Sequence, residues 1–117
     1  MRLRRHKYGA QPTTVDNIRF ASKAEARRYC DLKMLEKAGE ISELELQPRY
    51  ELLAWPARGD RTRAMVGHYV ADFRYRQGPQ GILVVEDVKS KPTMTAIYRW
   101  KKRHMLAQYG IQITEVS

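Results

Sequence analysis

The chain of 117 residues has the length of one domain, and its content of 43% hydrophobic and 30% charged residues is typical of a soluble globular protein, not of a disordered or membrane-embedded one. Its 22 lysines and arginines outnumber 13 aspartates and glutamates, which gives a formal net charge of +9. A charge of this size attracts polyanions, so nucleic acid is the expected partner, unless the excess charge serves only to keep the protein soluble.

The cysteine and histidine content excludes a disulfide-bonded protein and a structural zinc site. Cys30 is the only cysteine, so an internal disulfide is excluded and a reducing compartment is indicated. The three histidines, His6, His68 and His104, lie far apart in sequence and do not form a structural zinc pattern with one cysteine. The basic N-terminus is not followed by an apolar segment, so a secretory signal is not expected. We therefore expect a cytoplasmic protein.

The N-terminal part divides into a basic arm and a helix. Residues 1–18 contain a cluster of arginines and lysines and end in the turn signal Asp16-Asn17, which predicts a basic N-terminal arm. Ser22 then precedes the strongly helical run KAEARRYCDLKMLEKA, and Gly39 is a typical residue for the end of a helix. Residues 19–117 are predicted to form a single domain that begins with this helix.

Three strand segments follow the first helix. The segment LELQPRYELLAW alternates, although Pro48 restricts it to a sheet edge or to an irregular strand start. The stretch WPARGDRTRA predicts a charged hairpin loop that could contact a phosphate backbone. The second strand is predicted from Met65 to Arg76, and after the turn QGPQG the third strand is ILVVEDVK.

A second helix and a last strand close the chain. Lys91-Pro92-Thr93 ends the third strand, MTAIYRWKKRHMLAQY has helical spacing with Gly110 as its stop, and IQITEV alternates as a short strand. The predicted order is α-β-β-β-α-β. This order indicates the α/β class, with a mixed central sheet flanked by helices.

Acidic side chains in two of the strands suggest a common site. Alternation places Leu83, Val85, Asp87 and Lys89 on one side of the third strand, and the neighbouring Glu86 on the other. If GPQG closes a hairpin with the preceding strand, then Asp72 lies beside Asp87, while the other face of Asp72's strand holds Tyr69, Ala71, Phe73 and Tyr75. Two neighbouring carboxylates repel, and a hard divalent cation such as Mg²⁺ relieves that repulsion.

Each of these residues also has a structural interpretation. A D-x-K pair on a strand is most often an exposed salt bridge. The spacing of Ser22 and Glu25 in SKAE predicts a capping box, and Glu25 also borders the helical stripe that should face the sheet. Gln47 is either a site residue or a polar edge residue.

The second helix leaves a similar choice open. Lys101 lies on an apolar line with Ile97 and Met105, from which a lysine can reach solvent, DNA or the site. Tyr98 and Trp100 are expected in the core in preference to a base-stacking role.

These residues resemble the motifs of the PD-(D/E)XK nuclease superfamily, with Asp72 of VADFRY in the place of the PD motif and Asp87-Val88-Lys89 in the place of (D/E)XK. More closely, LQPRYEL, YVADFRY and VVEDVKS are similar to segments of a family of small uncharacterised phage and prophage proteins. The resemblance covers nearly the whole chain from Lys7, and its α-β-β-β-α-β order is that of a restriction-endonuclease-like core. One departure is Ala71, which stands where the motif has proline.

The resemblance implies a Mg²⁺-dependent phosphodiesterase acting on DNA, for which Mn²⁺ could substitute. It implies Asp72 and Asp87 as metal ligands, Glu25 as a further ligand or an acid that orients one, and Lys89 on the attacking water. The choice between Glu86 and Asp87 stays open, although the shared face with Lys89 favours Asp87.

The expected function is that of a phage endodeoxyribonuclease, with a Holliday-junction or branched-DNA resolvase as the leading case, acting as a homodimer in a bacterial host. The basic residues expected to contact DNA are Arg4, Arg5, Lys7, Arg58, Arg61, Arg63, Lys101 and Lys102. The alternatives are a DNA-binding module that has lost its chemistry, a nuclease subunit of a recombination complex, and a nuclease directed at RNA.

Overall fold

The computed structural model describes residues 11–57 and 62–117 and has a mixed α/β fold, as the sequence predicts. Its elements, in chain order, are β1 (Thr13–Val15), β2 (Ile18–Phe20), α1 (Lys23–Lys37), β3 (Ile41–Leu46), β4 (Arg49–Ala54), β5 (Ala64–Val70), β6 (Phe73–Gln77), β7 (Ile82–Val88), a 3₁₀ turn (Lys91–Thr93), α2 (Ala96–Tyr109) and β8 (Thr114–Val116). Within these two described ranges, no helix is long and apolar enough to cross a membrane.

A short hairpin, which the sequence did not predict, precedes the first helix. β1 and β2 pair antiparallel across Asp16 and Asn17, whose φ values of 52° and 61° suit a tight hairpin turn of the kind these residue types favour. The Tyr29 hydroxyl on α1 donates to Asp16 at 2.9 Å, and Phe20 is buried against α1. The predicted turn is confirmed, but the boundary predicted at residue 18 between arm and domain falls inside this hairpin.

The first helix forms where its end signals predict it. The Ser22 side chain accepts a hydrogen bond from the Glu25 N–H at 3.1 Å, and Gly39 takes a φ of 78° just beyond the last turn. Its inward stripe of Ala26, Tyr29 and Leu32 is buried against the sheet.

Among the described residues between the two helices there are five strands where three were predicted, because two of the predicted strands bend. Gln47 has a φ of 51°, and Pro48, which has no N–H to donate, separates β3 from β4. The opposite bend lies at Ala71 and Asp72, between β5 and β6. The Gln47 N–H donates to the Asp72 carbonyl at 3.0 Å, and the Ala71 N–H donates to the Pro48 carbonyl at 3.1 Å, so the two strands stay paired through the bend.

This bend divides the strands between two sheets. β4 and β5 form a two-stranded sheet of their own, whereas β3 and β6 enter a four-stranded sheet of order β3-β6-β7-β8. The first three strands of that sheet are antiparallel, and β8 runs parallel to β7 after the crossover through α2. The predicted common face of Tyr69, Ala71, Phe73 and Tyr75 is therefore wrong: the first two pack in the cluster with α2, and the last two pack in the cluster with α1.

The second helix turns a different face to the core than predicted. Tyr98 and Met105 are buried, as expected for Tyr98, and Gly110 ends the helix with a φ of 68°. Trp100 is 73% exposed and Ile97 is 67% exposed, so the predicted core position of Trp100 and the predicted line through Ile97 are wrong. The reason is geometric: at about 100° per residue, Trp100 lies almost opposite Tyr98 on the helix.

The left-handed conformation of Gly110 at the end of α2 can be tested by substitution. We expect Gly110→Ala to lower the free energy of unfolding by about 1 to 2 kcal/mol, because a side chain strains this conformation. The control is Gly67→Ala in β5. An added Cβ meets no atom of the described residues within 4 Å at either position, but only Gly110 of the two has a positive φ. Urea denaturation measures both variants, and an equal effect of the two would contradict the argument.

Candidate active site

The structure brings Asp72 and Asp87 together. Asp72 lies in the bend between β5 and β6, and the register Phe73↔Glu86 sets it next to Asp87 of β7. The Asp72 N–H donates to Oδ1 of Asp87 at 3.0 Å, and the Val88 N–H donates to Oδ2 of Asp72 at 2.8 Å. Each carboxylate is thus held by the backbone of the other chain segment, which fixes both side chains at one place.

The pair of aspartates is costly to ionise in this environment. Asp87 is 3% exposed, and burial together with the charge of Asp72 raises the pKa of Asp87 to about 7, although Tyr69 and Lys89 act in the opposite direction. Burial also raises the pKa of Asp72, against the hydrogen bond from the Val88 N–H. Near neutral pH, the pair therefore favours either a proton or a cation between its two carboxyl groups.

Two tyrosines that the sequence did not indicate as site residues contact the site, Tyr69 through Asp87 and Tyr98 through Lys89. The Tyr69 hydroxyl donates to Oδ2 of Asp87, so both oxygens of this carboxylate have a partner. The Lys89 ammonium lies 4.2 Å from the centre of the Tyr98 ring, and the Tyr98 hydroxyl donates to Glu115 at 2.8 Å. Their signal in the sequence was weak, since tyrosines in a strand and a helix are more often plain core residues.

Lys89 and Glu25 contribute opposite charges beside the aspartates. The Lys89 N–H donates to the Val116 carbonyl at 2.7 Å, which ties the residue after β7 to β8. Burial and the charge of Asp72 raise the pKa of Glu25, while the Ala21 N–H and the charge of Lys89 act in the opposite direction. Glu25 is half-buried, in the first turn of α1, so these four charged residues influence one another electrostatically.

A cleft of about 470 Å³ opens between the first turn of α1 and the end of β7. Glu25 and Lys89 line it together with small and polar residues, among them Ser22, Ser90 and Thr93. Asp72 and Asp87 are not among the lining residues. A ligand in this cleft would therefore meet Glu25 and Lys89 first.

The predicted set of three acidic metal ligands is not assembled. Within residues 11–57 and 62–117, no group of three or more His, Cys, Asp or Glu side chains could hold a metal ion. The pair Asp72 and Asp87 nevertheless offers the hard oxygen donors that Mg²⁺ prefers, and this ion commonly keeps several waters and binds through one or two carboxylates plus substrate phosphate. The donor set fits a two-carboxylate magnesium site, with Glu25 outside it.

Glu86 points to the opposite side of β7, as strand alternation predicts. Its two oxygens accept hydrogen bonds from Nε and Nη2 of Arg28 at 2.7 and 3.0 Å, and the Tyr75 hydroxyl donates to Oε2 at 2.7 Å. The Glu86 side chain is fully buried. These bonds explain how a carboxylate can lie in an apolar strand without a metal, and the geometry favours Asp87 over Glu86 as the site residue.

The predicted DNA-contacting residues are only partly described. Arg4, Arg5, Lys7, Arg58 and Arg61 lie outside the described residues. Arg63 is exposed, with its guanidinium 5.2 Å from the centre of the Trp55 ring.

The two predicted lysines of α2 differ in their surroundings. Lys101 is half-buried, and Lys102 forms an ion pair with Glu115 at 3.2 Å. Lys102 is thus less available to a phosphate than the sequence suggested.

Comparison with known proteins gives a family without an assigned activity. A family model described as "Protein of unknown function (DUF1064)" matches residues 5–115. No curated protein and no solved structure matches the chain.

Proposed function

The chain belongs to the DUF1064 family, and from this premise we propose that it is a metal-dependent endodeoxyribonuclease of the PD-(D/E)XK type, encoded by a phage or prophage and acting in the bacterial cytoplasm. The proposed substrate is DNA, with four-way junctions and other branched forms as the leading case. The single observation that carries the proposal is the meeting of Asp72 and Asp87, from two chain segments, beside Lys89.

The proposed chemistry is hydrolysis of a phosphodiester bond. A divalent cation held by Asp72 and Asp87 would neutralise charge on the phosphate and lower the pKa of a bound water. Burial of the aspartates supports this role, because their raised pKa values show that two negative charges are unfavourable there without a cation.

Lys89 and Glu25 have different roles in this proposal. The Lys89 ammonium stabilises negative charge that develops on the phosphate oxygens, and it orients the attacking water. Its position over the Tyr98 ring restrains its side chain beside the cleft. Glu25, which lines the cleft and has a raised pKa, is suited to hold or accept a proton near the reacting water.

Cleavage assays test the proposal directly. Purified protein is incubated with labelled four-way junction, flap and linear duplex, with and without magnesium or manganese. We expect metal-dependent cutting, and we expect Asp87→Asn to reduce the rate by at least about 100-fold, a loss comparable to that of one group acting on transition-state charge. The matched control is Asp31→Asn, an equal charge change at an exposed position of α1.

Two results would reject this function. One is the absence of cutting of every substrate by the wild-type protein with either metal. The other is equal cutting by Asp87→Asn and the wild type. Analytical ultracentrifugation with and without a junction tests the homodimer that symmetric cutting of two strands requires.

A second function is favoured by one observation, the net charge of +9, which is sufficient for DNA binding without any catalysis. In this alternative the protein is a DNA-binding module without chemistry, or a nuclease subunit that becomes active only in a recombination complex. Salt-dependent DNA binding without metal-dependent cutting would support it.

A further inference from the structure

The side of α2 that faces away from the sheet carries an exposed aromatic ring among positive charges. Trp100 and Ile97 are 73% and 67% exposed, and they line a shallow cleft of about 460 Å³ with Ala96, Arg99 and Arg103. We call these five residues the outer α2 patch. A tryptophan exposed to this extent contributes little to the core. Together with Ile97 it forms an apolar surface bordered by two arginines, which is the pattern of an interaction site.

The charge of α2 indicates what could cover this patch. The helix from Ala96 to Tyr109 contains four lysines and arginines and no acidic residue. In the part of the chain that the structure describes, Lys102 is ion-paired with Glu115, whereas Arg99 and Arg103 form no ion pair. A second copy of this chain would bring the same positive charges against the patch, which disfavours it as the occupant.

We propose that the outer α2 patch binds single-stranded DNA, with a base stacked on Trp100 and the neighbouring phosphates on Arg99 and Arg103. Stacking on an exposed aromatic ring beside a positive groove is how proteins hold unpaired nucleotides without reading their sequence. The inference rests on the proposed function for its choice of DNA, but not on the cleavage chemistry.

This patch is distinct from the candidate active site. Tyr98, on the inner side of α2, contacts Lys89, whereas Trp100 lies on the outer side, across a helix that is about 10 to 12 Å thick with its side chains. A strand on Trp100 therefore lies outside the cleft. In a flap substrate it would anchor the unpaired arm while a duplex part occupies the cleft.

Trp100 can report its own binding. Trp55 is the only other tryptophan, so the Trp55→Phe variant leaves Trp100 as the only source of tryptophan fluorescence. We expect a short oligothymidylate to quench this fluorescence. In the wild-type background, we expect Trp100→Leu to weaken binding of the oligothymidylate about tenfold and Trp100→Phe to weaken it less, because leucine keeps apolar area without a stacking face.

The salt dependence of binding tests the phosphate contacts of Arg99 and Arg103, and a duplex tests the preference for single-stranded DNA. Arg99→Gln and Arg103→Gln should each reduce the slope of log affinity against log salt by about 1. Trp100→Leu should leave binding of a blunt duplex unchanged. Leu106→Ala, at an exposed apolar position of α2 outside the patch, is the control for lost apolar surface and should keep the wild-type affinity for the oligothymidylate. Because Trp100 is exposed, the variant should unfold at the same urea concentration as the wild type.

Several results would overturn the proposal. One is that Trp100→Leu binds the oligothymidylate as tightly as the wild type does. Another is that Trp100→Leu loses as much affinity for the duplex as for the oligothymidylate. A third is that the wild type sediments as a dimer and Trp100→Leu as a monomer, which would make the patch an interface between copies. Retained quenching by the oligothymidylate without any cleavage by the wild type would reject the nuclease function alone.

Discussion

Arg28→Ala should destabilise the fold by about 3 to 5 kcal/mol, because it leaves the carboxylate of Glu86 buried without its cation. The Glu86 side chain has no exposed surface. Of the three hydrogen bonds that described residues donate to it, Arg28 provides two. The bond from Tyr75 remains in the variant but cannot balance a full charge in an apolar environment. Urea denaturation near neutral pH measures the loss.

The neighbouring residue provides the matched control for Arg28→Ala. Arg27 is exposed on α1, so Arg27→Ala makes the same change in charge and helix propensity and should cost less than about 0.5 kcal/mol. Adding Glu86→Gln to Arg28→Ala should recover much of the loss, since a neutral amide can stay buried with the Tyr75 hydroxyl. A similar cost for the two arginine variants, or no recovery in the double variant, would show that the ion pair is not what stabilises this side of the sheet.

Strand alternation was a reliable guide to the two sides of β7. It predicted that Val85 and Asp87 share a face and that Glu86 lies on the other, and the structure agrees. The reason is that β7 is paired on both edges, with β6 and β8, and is covered on both faces. A slip by one residue would exchange Asp87 with Glu86 and separate Glu86 from Arg28, so the register is strongly determined.

The bend that positions Asp72 could not be predicted from local pattern. Residues 65–76 read as one strand because nothing in that segment breaks the alternation. The cause lies in the partner strand, where Gln47 and Pro48 interrupt the pairing, and the hydrogen bonds from Gln47 to Asp72 and from Ala71 to Pro48 transmit the interruption. Pro48 was interpreted as a mark of a sheet edge, when it marks the point where the chain passes from one sheet to another.

Which aromatic residue of α2 is buried could not be predicted from the sequence either. Tyr98 and Trp100 lie two positions apart, so only one of them can face the sheet, and basic residues surround both. The structure selects Tyr98, whose hydroxyl reaches Glu115 and whose ring meets Lys89. A phenol can be buried when its hydroxyl has a partner, and this condition depends on β8, which follows later in the chain.

The aspartate pair should make the folded state less stable as the pH rises from about 5 to about 8, by about 2 to 4 kcal/mol. The pKa of Asp87 is raised to about 7 in the folded state, above its ordinary value of 3.8, so between these values the folded protein holds a proton that the unfolded chain has lost. The stabilisation is complete at low pH and is lost as the pH rises through the folded pKa. Asp87→Asn carries no charge at this position, so it should remove most of this decline and serve as the control for every other titrating group.

The stability measurements must avoid acidic pH, because Glu115 makes the folded state more stable as the pH rises, opposite to the effect of the aspartate pair. The bonds from Tyr98 and Lys102 lower its pKa from the ordinary value of 4.5, against the effect of burial, so its contribution is present above that pH and is lost below it. Urea denaturation from about pH 5 upward avoids this range. If the free energy of unfolding of the wild type stays constant or increases up to about pH 8, the aspartate pair does not destabilise the folded state on ionisation and the prediction is wrong.

Magnesium should reverse the loss at high pH, because a cation that binds only the folded state stabilises it by mass action, by about 2.7 kcal/mol at one hundred times its dissociation constant. Magnesium should raise the free energy of unfolding more at about pH 8 than at about pH 5, since the ion needs ionised carboxylates and competes with the shared proton. Sodium chloride at equal ionic strength controls for screening of the charge of +9. An equal gain in Asp87→Asn would place the ion elsewhere, whereas a gain confined to the wild type would locate the cation at Asp72 and Asp87 by a measurement that does not depend on DNA cleavage.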